Sequence, residues 1–385
     1  MARIALIHTL IEETGGTEKL ALEMYKALRE LNHDVDFYTV HKDPKAWEIL
    51  TSGDQNIQTI KELGEPFINR ILKTKNDKFI RYRRLLALNH LVKLIKKLRN
   101  NYDIIIETQS NIPYKYTDAS YIHFPALIDY ISLQAKTGIS RKLYNWLIKK
   151  KAKSLISKSG FVMTNSTWTA NYIKKEYGND LKIKIVYPPV NIEELLSINE
   201  ERRKIILTVS RFSPEKKLDT IPDIARNIPE AEFYLIGSTS NYSPPVIKSI
   251  NKKAIGLNNF HVETDVPRKR IIELMSQASI YLHPPFAEHF GISIAEAAAA
   301  GLVPVVYKDG GGWTDIVSRI DEGLGYKNIE EAALIIKKLL SENGRLNNLS
   351  EKAKDIAKNF SYEKFKERLN EVIEELINNL KEITG

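Results

Sequence analysis

The chain has 385 residues, 43% of them hydrophobic and 27% charged, which indicates a globular protein with more than one domain. It contains no cysteine, so disulfides, thiolate metal ligands and cysteine nucleophiles are excluded. The net charge of +9 is concentrated in residues 61–160, which hold 21 Lys and Arg against 7 Asp and Glu. Such a basic region attracts phosphates, nucleic acid or an acidic membrane face.

Short apolar strands alternate with helical patterns in the first half of the chain. The start of the chain has only a brief apolar run and is predicted to be a first strand, not a signal peptide. Continuous apolar runs such as 104–106 suit strands that are buried on both faces of a parallel sheet. The predicted elements are strands at 3–8, 34–40, 103–107, 120–124 and 161–165, with a helix at 18–30.

The same alternation restarts after Pro188 and Pro189. Two successive βα blocks with a proline joint predict an α/β protein of two Rossmann-like, doubly wound domains that face each other across a cleft. We place an N-terminal domain at 1–187, a C-terminal domain at 188–360, and a last helix at 361–385 that packs back on the N-terminal domain. The elements predicted after the joint are strands at 205–210, 232–236, 280–283 and 303–307, and helices at 219–226, 249–257, 269–278, 292–300 and 362–380.

Gly15 and Gly16 lie between the first strand and the first helix. Glycines at such a point let the backbone approach a ligand, and the helix N-terminus offers free N–H groups to a phosphate. The spacing is not G-x-G-x-x-G, so a nicotinamide cofactor is not indicated. An ordinary turn is the alternative interpretation.

Ser210, Arg211 and Lys216 follow the strand 205–210. Ligands bind at the carboxyl ends of strands in open α/β sheets, and two cations there can reach one diphosphate. A leaving nucleoside diphosphate gains negative charge as its bond breaks, so fixed cations stabilise the transition state. A solvated loop with incidental charges is the alternative.

Another loop leads from the strand 280–283 into the helix that carries Glu296. Gly291 and Ile292 stand at the start of that helix, where backbone N–H groups can meet phosphate or sugar oxygens. Glu288 in the loop and Glu296 two turns along are near enough to face one cleft. Carboxylates accept hydrogen bonds from vicinal hydroxyls, as on a sugar or a ribose. Surface charge is the alternative for both.

Two further segments are candidates for ligand contact. His123 closes the strand 120–124 and can donate or accept a hydrogen bond, although a strand-end histidine is often structural. The glycine run 310–312 follows the strand 303–307 and can bring backbone close to a ligand. No H-E-x-x-H pattern is present and the eight histidines are scattered, so metal-independent chemistry is expected.

In this order and spacing, the motifs resemble those of the family 4 glycosyltransferases of the GT-B fold. The closest resemblance, carried by the segments 121–125, 164–169 and 288–292, is to the dolichol-pathway α-1,2-mannosyltransferases that extend a lipid-linked oligosaccharide. This sequence departs from the pattern in three ways. It has His289 where most members have glycine, its first loop is the short GGTE, and it does not begin with the membrane-spanning segment of the eukaryotic members. The shared features are a glycine-rich first loop (Gly15, Gly16), an Arg-x4-Lys clamp (Arg211, Lys216), an E-x7-E motif (Glu288, Glu296), a Gly-Gly turn (310–312) and an interdomain strand (186–190).

The resemblance implies a retaining glycosyltransferase that moves a hexose, with mannose from GDP-mannose favoured, onto a lipid-linked or other glycan acceptor. It implies an acceptor-side N-terminal domain, a C-terminal domain that binds the nucleotide sugar, and no metal or other cofactor. The catalytic set is then His123 near the anomeric carbon, Arg211 and Lys216 on the diphosphate, and Glu288 on the transferred sugar. The other donor-binding residues implied are Gly15, Gly16, Ser210, His289, Phe290, Gly291, Ile292 and Glu296, the last on the ribose.

The segments 78–99 and 141–158 interleave apolar and basic residues at helical spacing. Basic amphipathic helices with aromatic residues suit an anionic bilayer surface. A cytoplasmic protein, peripheral on the cytoplasmic face of a membrane, is therefore expected, with a solvated face over the sheet as the alternative. No apolar run approaches the roughly 18–20 residues that span a bilayer. Nucleic acid is not an expected partner, because no RNA- or DNA-binding motif is present.

Three other functions stay open from the sequence. A UDP-sugar-dependent transferase of the same fold would be stabilised by UDP and not by GDP. A GT-B phosphorylase would carry pyridoxal on a lysine and show its absorbance band. A non-catalytic anion-binding protein that uses the basic region would keep its function after Glu288→Ala or Lys216→Ala.

Overall fold

A computed structural model describes residues 1–12, 14–51, 60–64, 95–125, 153–157 and 160–384, with the single residues 90, 146 and 150. The chain divides into two compact units. The first contains Met1–Asn165, Thr169–Val186 and Phe365–Gly385, and the second contains Ser166–Trp168 and Tyr187–Lys364. Most of the basic segments 78–99 and 141–158 lies outside the described residues.

The described strands are β1 (Arg3–Ile7), β2 (Leu10–Ile11), β3 (Asp34–Thr39), β4 (His41–Lys42), β5 (Ile60–Glu62), β6 (Ile104–Glu107), β7 (Ala119–Ile122), β8 (Phe161–Thr164), β9 (Lys182–Ile185), β10 (Arg203–Val209), β11 (Glu232–Gly237), β12 (Phe260–Thr264), β13 (Ala278–Leu282), β14 (Val303–Tyr307) and β15 (Gly325–Tyr326). The described helices are α1 (Gly16–Glu30), α2 (Pro44–Thr51), α3 (Thr167–Tyr177), α4 (Glu193–Leu196), α5 (Ile221–Arg226), α6 (Ser243–Lys253), α7 (Arg268–Gln277), α8 (Ile292–Ala299), α9 (Ser318–Ile320), α10 (Ile329–Ser341), α11 (Asn343–Ala357) and α12 (Tyr362–Thr384). No helix within these described stretches is long and apolar enough to cross a membrane.

The first unit is built on a parallel seven-stranded sheet with the order β5-β3-β1-β6-β7-β8-β9. Its central strands are buried on both faces, as the apolar run of β6 predicts. The last helix, α12, belongs to this unit from Phe365 onward: Lys366 pairs with Glu30 of α1 at 2.8 Å, and Glu375 pairs with Lys184 of β9 at 2.7 Å. The predicted packing of this helix on the N-terminal part of the chain is confirmed.

The second unit is built on a parallel six-stranded sheet with the order β12-β11-β10-β13-β14-β15. Strand β10 has β11 on one side and β13 on the other, so the strand order reverses direction there. Ligands of open α/β sheets bind outside the carboxyl ends at such a point. The loops that follow β10 and β13 therefore occupy the favoured ligand position. The two parallel sheets confirm the predicted α/β class.

One predicted helix is displaced. The periodicity placed it at 249–257, whereas α6 runs from Ser243 to Lys253. Pro244 and Pro245 look like breakers in the sequence, but they occupy the first turn, where a missing N–H costs no helical hydrogen bond.

Glu18, in the first turn of α1, is a buried carboxylate whose charge should stabilise the first unit. Its Oε1 lies 3.7 Å from His8 Nε2, and Thr17 Oγ1 donates to its Oε2 at 2.6 Å. Burial by itself raises the pKa of Glu18, but the contacts with His8 and Thr17 outweigh it and lower that pKa to about 2. We therefore expect Glu18→Gln to lower the free energy of unfolding at pH 7 by up to about 3 kcal/mol.

The difference from the unchanged protein should disappear as pH falls from the ordinary value of 4.5 towards 2, because the folded protein then loses the same charge. Urea unfolding between pH 7 and pH 3 measures this. Glu23→Gln is the control on the same helix, since Glu23 pairs with Lys26 near the surface. A difference that stays constant down to pH 3 would contradict the prediction.

Candidate functional site

Lys216 and Glu288 form an ion pair at the carboxyl end of the second sheet. Lys216 ends the short 3-10 turn Pro214–Lys216 after β10, and Glu288 lies in the loop after β13. Since β10 and β13 are neighbours, these two loops are adjacent. The Nζ of Lys216 donates to Oε2 of Glu288 and lies 4.3 Å from the ring centre of Phe286. The ammonium group is thereby held by a carboxylate and an aromatic face.

His283 adds a third polar group to this pair. Its Nε2 lies 3.4 Å from Glu288 Oε2, and the residue is only 3% exposed. Burial by itself raises the pKa of the Glu288 carboxyl, but Lys216 and His283 outweigh it and hold that pKa well below its usual range. Glu288 is therefore ionised at neutral pH and able to accept hydrogen bonds from ligand hydroxyls.

The glycine turn 310–312 supports the backbone of Glu288. Gly310 pairs with Glu288 in an isolated parallel β-bridge, and the N–H of Gly311 donates to the Glu288 carbonyl at 2.6 Å. Gly310 has a φ of +95°, and a Cβ added there would lie 2.5 Å from the Glu288 carbonyl oxygen. The close backbone approach that the sequence predicts at these glycines is therefore an approach to the Glu288 loop.

Gly310→Ala is expected to lower the thermal midpoint, because it combines a left-handed φ with a backbone clash, at a cost of more than about 1 kcal/mol. It should also displace Glu288 and so reduce any activity that needs this carboxylate. Gly344→Ala is the matched control: Gly344 lies in α11, and a Cβ there meets nothing within 4 Å. The control should be neutral or stabilising by up to about 1 kcal/mol. Equal midpoints for the two variants would contradict the prediction.

The N-terminus of α8 directly follows the loop that carries Glu288. Gly291 caps this helix with a φ of +98°, and the first helical residue, Ile292, is 41% exposed. The amides of Ile292 and Ser293 carry the partial positive charge of the helix start. The Tyr281 hydroxyl, 2.8 Å from Ser293 Oγ and 3.1 Å from the Val209 carbonyl oxygen, ties this helix start to the end of β10.

Glu296 lies on α8 and pairs with Arg268, the first residue of α7, at 2.9 Å. Its side chain is 17% exposed, whereas that of Arg268 is 42% exposed. Glu296 is therefore a largely enclosed acceptor with one solvent-facing cation beside it. The pair joins residues from α7 and α8, so no local sequence pattern indicates it.

Ser210 and Arg211 stand between β10 and the turn that ends at Lys216. The N–H of Ser210 donates to the Ile236 carbonyl at 3.0 Å, and an added Cβ at Gly237 would collide with the Ser210 carbonyl. Arg211 is exposed, in contrast to Lys216. The predicted Arg-x4-Lys clamp is thus one loop with a solvent-facing cation and an enclosed one.

His289 and Phe290 are held by aromatic neighbours. The imidazole of His289 stacks on Trp168 with ring centres 5.8 Å apart and an angle of 19°. Burial lowers the pKa of His289 to about 4, so the ring is neutral at pH 7. The Phe290 side chain is buried between Tyr187 and Phe360, at 5.7 Å and 5.2 Å. A donor contact by Phe290 would therefore have to use its backbone.

The remaining predicted residues lie in the first unit. Gly15 caps α1 and Gly16 is its exposed first residue. His123 follows β7; its N–H donates to Asn111 Oδ1 at 2.8 Å, and its Nε2 lies 3.1 Å from the Thr108 carbonyl oxygen.

Sequence reasoning missed three contacts of the site: Arg268 beside Glu296, His283 beside Glu288, and Phe286 beside Lys216. His283 could have been found, because it closes a predicted strand whose carboxyl end is the ligand side. Among the residues that the structure describes, no group of three or more His, Asp or Glu side chains is arranged to hold a metal ion.

Two protein-family models match the chain in succession. Residues 14–194 match the model described as Glycosyltransferase Family 4, and residues 192–356 match the model described as Glycosyl transferases group 1. Their junction falls close to the division between the two units.

Curated relatives carry mannosyltransferase names. A Dictyostelium discoideum protein named GDP-Man:Man(3)GlcNAc(2)-PP-Dol alpha-1,2-mannosyltransferase is 27% identical, over 68% of this chain and 60% of its own length. A Homo sapiens protein of the same name is 24% identical, over 82% of this chain and 74% of its own length. The chain thus spans less than two thirds of the first of these relatives.

Solved structures share the fold along nearly the whole chain. A sucrose-phosphate synthase from Thermosynechococcus elongatus has a TM-score of 0.71 at 15% identity, over 98% of this chain and 100% of that one. The Anabaena protein HepE, solved with UDP, has a TM-score of 0.69 at 16% identity, over 97% and 100%. The chain therefore matches two glycosyltransferase family models in succession along 14–356, and it shares the GT-B fold of these solved glycosyltransferases.

Proposed function

We propose that this protein is a retaining hexosyltransferase that moves mannose from GDP-mannose onto a lipid-linked or other glycan acceptor. The observation that carries the proposal is the cluster of Lys216, Glu288 and His283 at the switch point of the second sheet. It combines an enclosed cation with an ionised carboxylate, and a helix N-terminus follows a few residues later. This combination of groups suits a sugar diphosphate.

The diphosphate is assigned to Arg211, Lys216 and the amides at the start of α8. These groups supply the positive charge that a leaving diphosphate requires, so the proposal includes no metal and no other cofactor. Lys216 has three donor hydrogens and can keep Glu288 while it meets a phosphate oxygen. Glu288 is assigned to the hydroxyls of the transferred sugar, and Glu296 to those of the ribose.

Retention follows in this proposal from attack on the face that the leaving group vacates. The bond between the anomeric carbon and the phosphate oxygen breaks, and the acceptor oxygen bonds to the same carbon on the same face. The acceptor proton passes to the departing phosphate oxygen, so no protein base is required. His123 is assigned to the anomeric carbon, as the resemblance implies, and its replacement by alanine tests that assignment.

GDP-mannose is favoured because the curated relatives described above have GDP-Man in their names. UDP-sugar is the second candidate, because neighbours from Anabaena were solved with UDP and with UDP-glucose. Calorimetric titration with GDP, UDP and ADP separates the two. Binding of GDP at least tenfold tighter than UDP is the expected result, and binding of UDP alone would overturn the GDP assignment.

A polyprenyl-linked oligosaccharide is the favoured acceptor, since the same relatives' names contain Man(3)GlcNAc(2)-PP-Dol. The test is incubation with radiolabelled GDP-mannose and a crude lipid extract, followed by identification of the labelled product. Label confined to free mannose would exclude transfer to these lipids.

We also propose peripheral binding to anionic membranes on the cytoplasmic face, supported by Trp146, which is 55% exposed. Flotation with anionic and with neutral vesicles tests it.

A further inference from the structure

The tripeptide Ser166–Trp168 groups with the second unit, although the residues before and after it group with the first. Ser166 Oγ donates to the His289 carbonyl at 2.6 Å. Trp168 stacks on the imidazole of the same residue. The tripeptide thus holds both the backbone and the side chain of the residue next to Glu288.

The tripeptide is also bonded to residues on both sides of the glycine turn 310–312, Asp309 before it and Asp315 after it. Trp168 Nε1 donates to Asp309 Oδ1 at 2.8 Å, and the same oxygen accepts the N–H of Gly310 at 2.8 Å. Thr167 donates through its N–H and its Oγ1 to Asp315 Oδ1, at 2.9 and 2.7 Å. Asp315 is fully buried, so these bonds are shielded from water.

The tripeptide is closely packed against the glycine turn and the Glu288 loop. A Cβ added to Gly311 would lie 2.8 Å from Ser166 Cβ and would overlap the His289 carbonyl. The glycine turn, the tripeptide and the Glu288 loop therefore pack directly against one another. A change in one of these segments displaces its neighbour.

We propose that Trp168 is a positioning residue for Glu288, acting through its stack on His289 and its bond to Asp309. The inference rests on the proposed function for its catalytic consequence, but not for its structural one. It also gives His289 a role: the ring fills the space over Trp168 and fixes the loop that carries Glu288. Trp168 then determines how well the transferred sugar is held, and not how well the nucleotide binds.

The first test is a thermal-unfolding cycle with Glu288→Gln, Trp168→Leu and the double variant, which needs no substrate. Glu288→Gln should lower the thermal midpoint by about 3 °C in the unchanged protein. In the Trp168→Leu background it should lower the midpoint by less than half of that, because the ion pair of Lys216 and Glu288 is already displaced. Equal shifts in the two backgrounds would overturn the proposal. Trp47→Leu, on α2 of the first unit, is the control and should leave the shift from Glu288→Gln unchanged.

The second test is a kinetic cycle with Trp168→Leu and His289→Gly. Each single change should reduce kcat/KM for GDP-mannose about tenfold, and the double change should cost no more than the larger single one. GDP affinity should stay within about twofold, and Trp168→Phe, which keeps a stacked ring but loses the bond to Asp309, should recover part of the activity. Losses that multiply, or a matching loss of GDP affinity, would overturn the proposal. If the parent protein shows no sugar transfer but the thermal cycle still shows coupling, the proposed function is wrong and the positioning role of Trp168 stands.

Discussion

Glu288→Gln is expected to lower kcat/KM for sugar transfer by about a hundredfold or more, with the protein still folded. The amide has the shape of the carboxylate but not its charge. Its neutral oxygen is a weaker acceptor for sugar hydroxyls, and it leaves the enclosed Lys216 ammonium without its counter-charge. Initial rates with GDP-mannose and a lipid-linked acceptor at pH 7 measure the effect.

Glu263→Gln is the matched control for this change. Glu263 pairs with Arg270 at 2.8 Å in the same unit, but near the surface on β12. Breaking a pair of this kind costs at most about 1 kcal/mol, so transfer should stay within about twofold of the parent rate. Comparable rates for Glu288→Gln and the control would remove Glu288 from the site.

Lys216→Met is expected to reduce transfer by a similar factor and to make the residual activity depend on pH. The ammonium has two effects here: it can neutralise a diphosphate, and it lowers the pKa of Glu288. Without it, that pKa rises because only His283 then opposes the effect of burial, so the carboxyl takes up a proton at a higher pH than in the parent protein. Residual activity should therefore rise with pH, whereas Glu288 of the parent protein stays ionised throughout the same range.

A pH–rate profile from pH 5 to pH 9 checks both parts of this expectation. Lys252→Met removes an exposed lysine of α6 and should leave both the rate and the profile unchanged. A Lys216→Met enzyme with a deep loss but the parent profile would show that Lys216 acts on the diphosphate alone. The coupling to Glu288 would then be wrong.

The order of strands and helices was predictable because it depends on local pattern. Uninterrupted runs such as 104–106 mark strands of a parallel sheet, and β6 is buried along its whole length. The helix α6 shows where local pattern fails, since its two prolines break a helix in most positions and are accepted in the first turn.

The site was predictable as a set of segments, because loops at the carboxyl ends of parallel strands meet at one edge of a sheet. The pairing within it was not. Arg211 and Lys216 look alike in the sequence, yet the first is exposed and the second is enclosed against Glu288 and Phe286. Burial of a charge depends on the neighbouring strand and loop, which lie far away along the chain.

By itself, the sequence determined the two βα blocks, the absence of cysteine chemistry and the positions of the two glutamates that we assign to the donor. Only the tertiary structure decided which groups hold those glutamates: Lys216 and His283 for Glu288, and Arg268 for Glu296. It also placed Trp168 beneath the loop, 121 positions from its stacking partner His289. The physical reason is that strand and helix periodicity is local, whereas ion pairs and stacking contacts depend on which strands become neighbours.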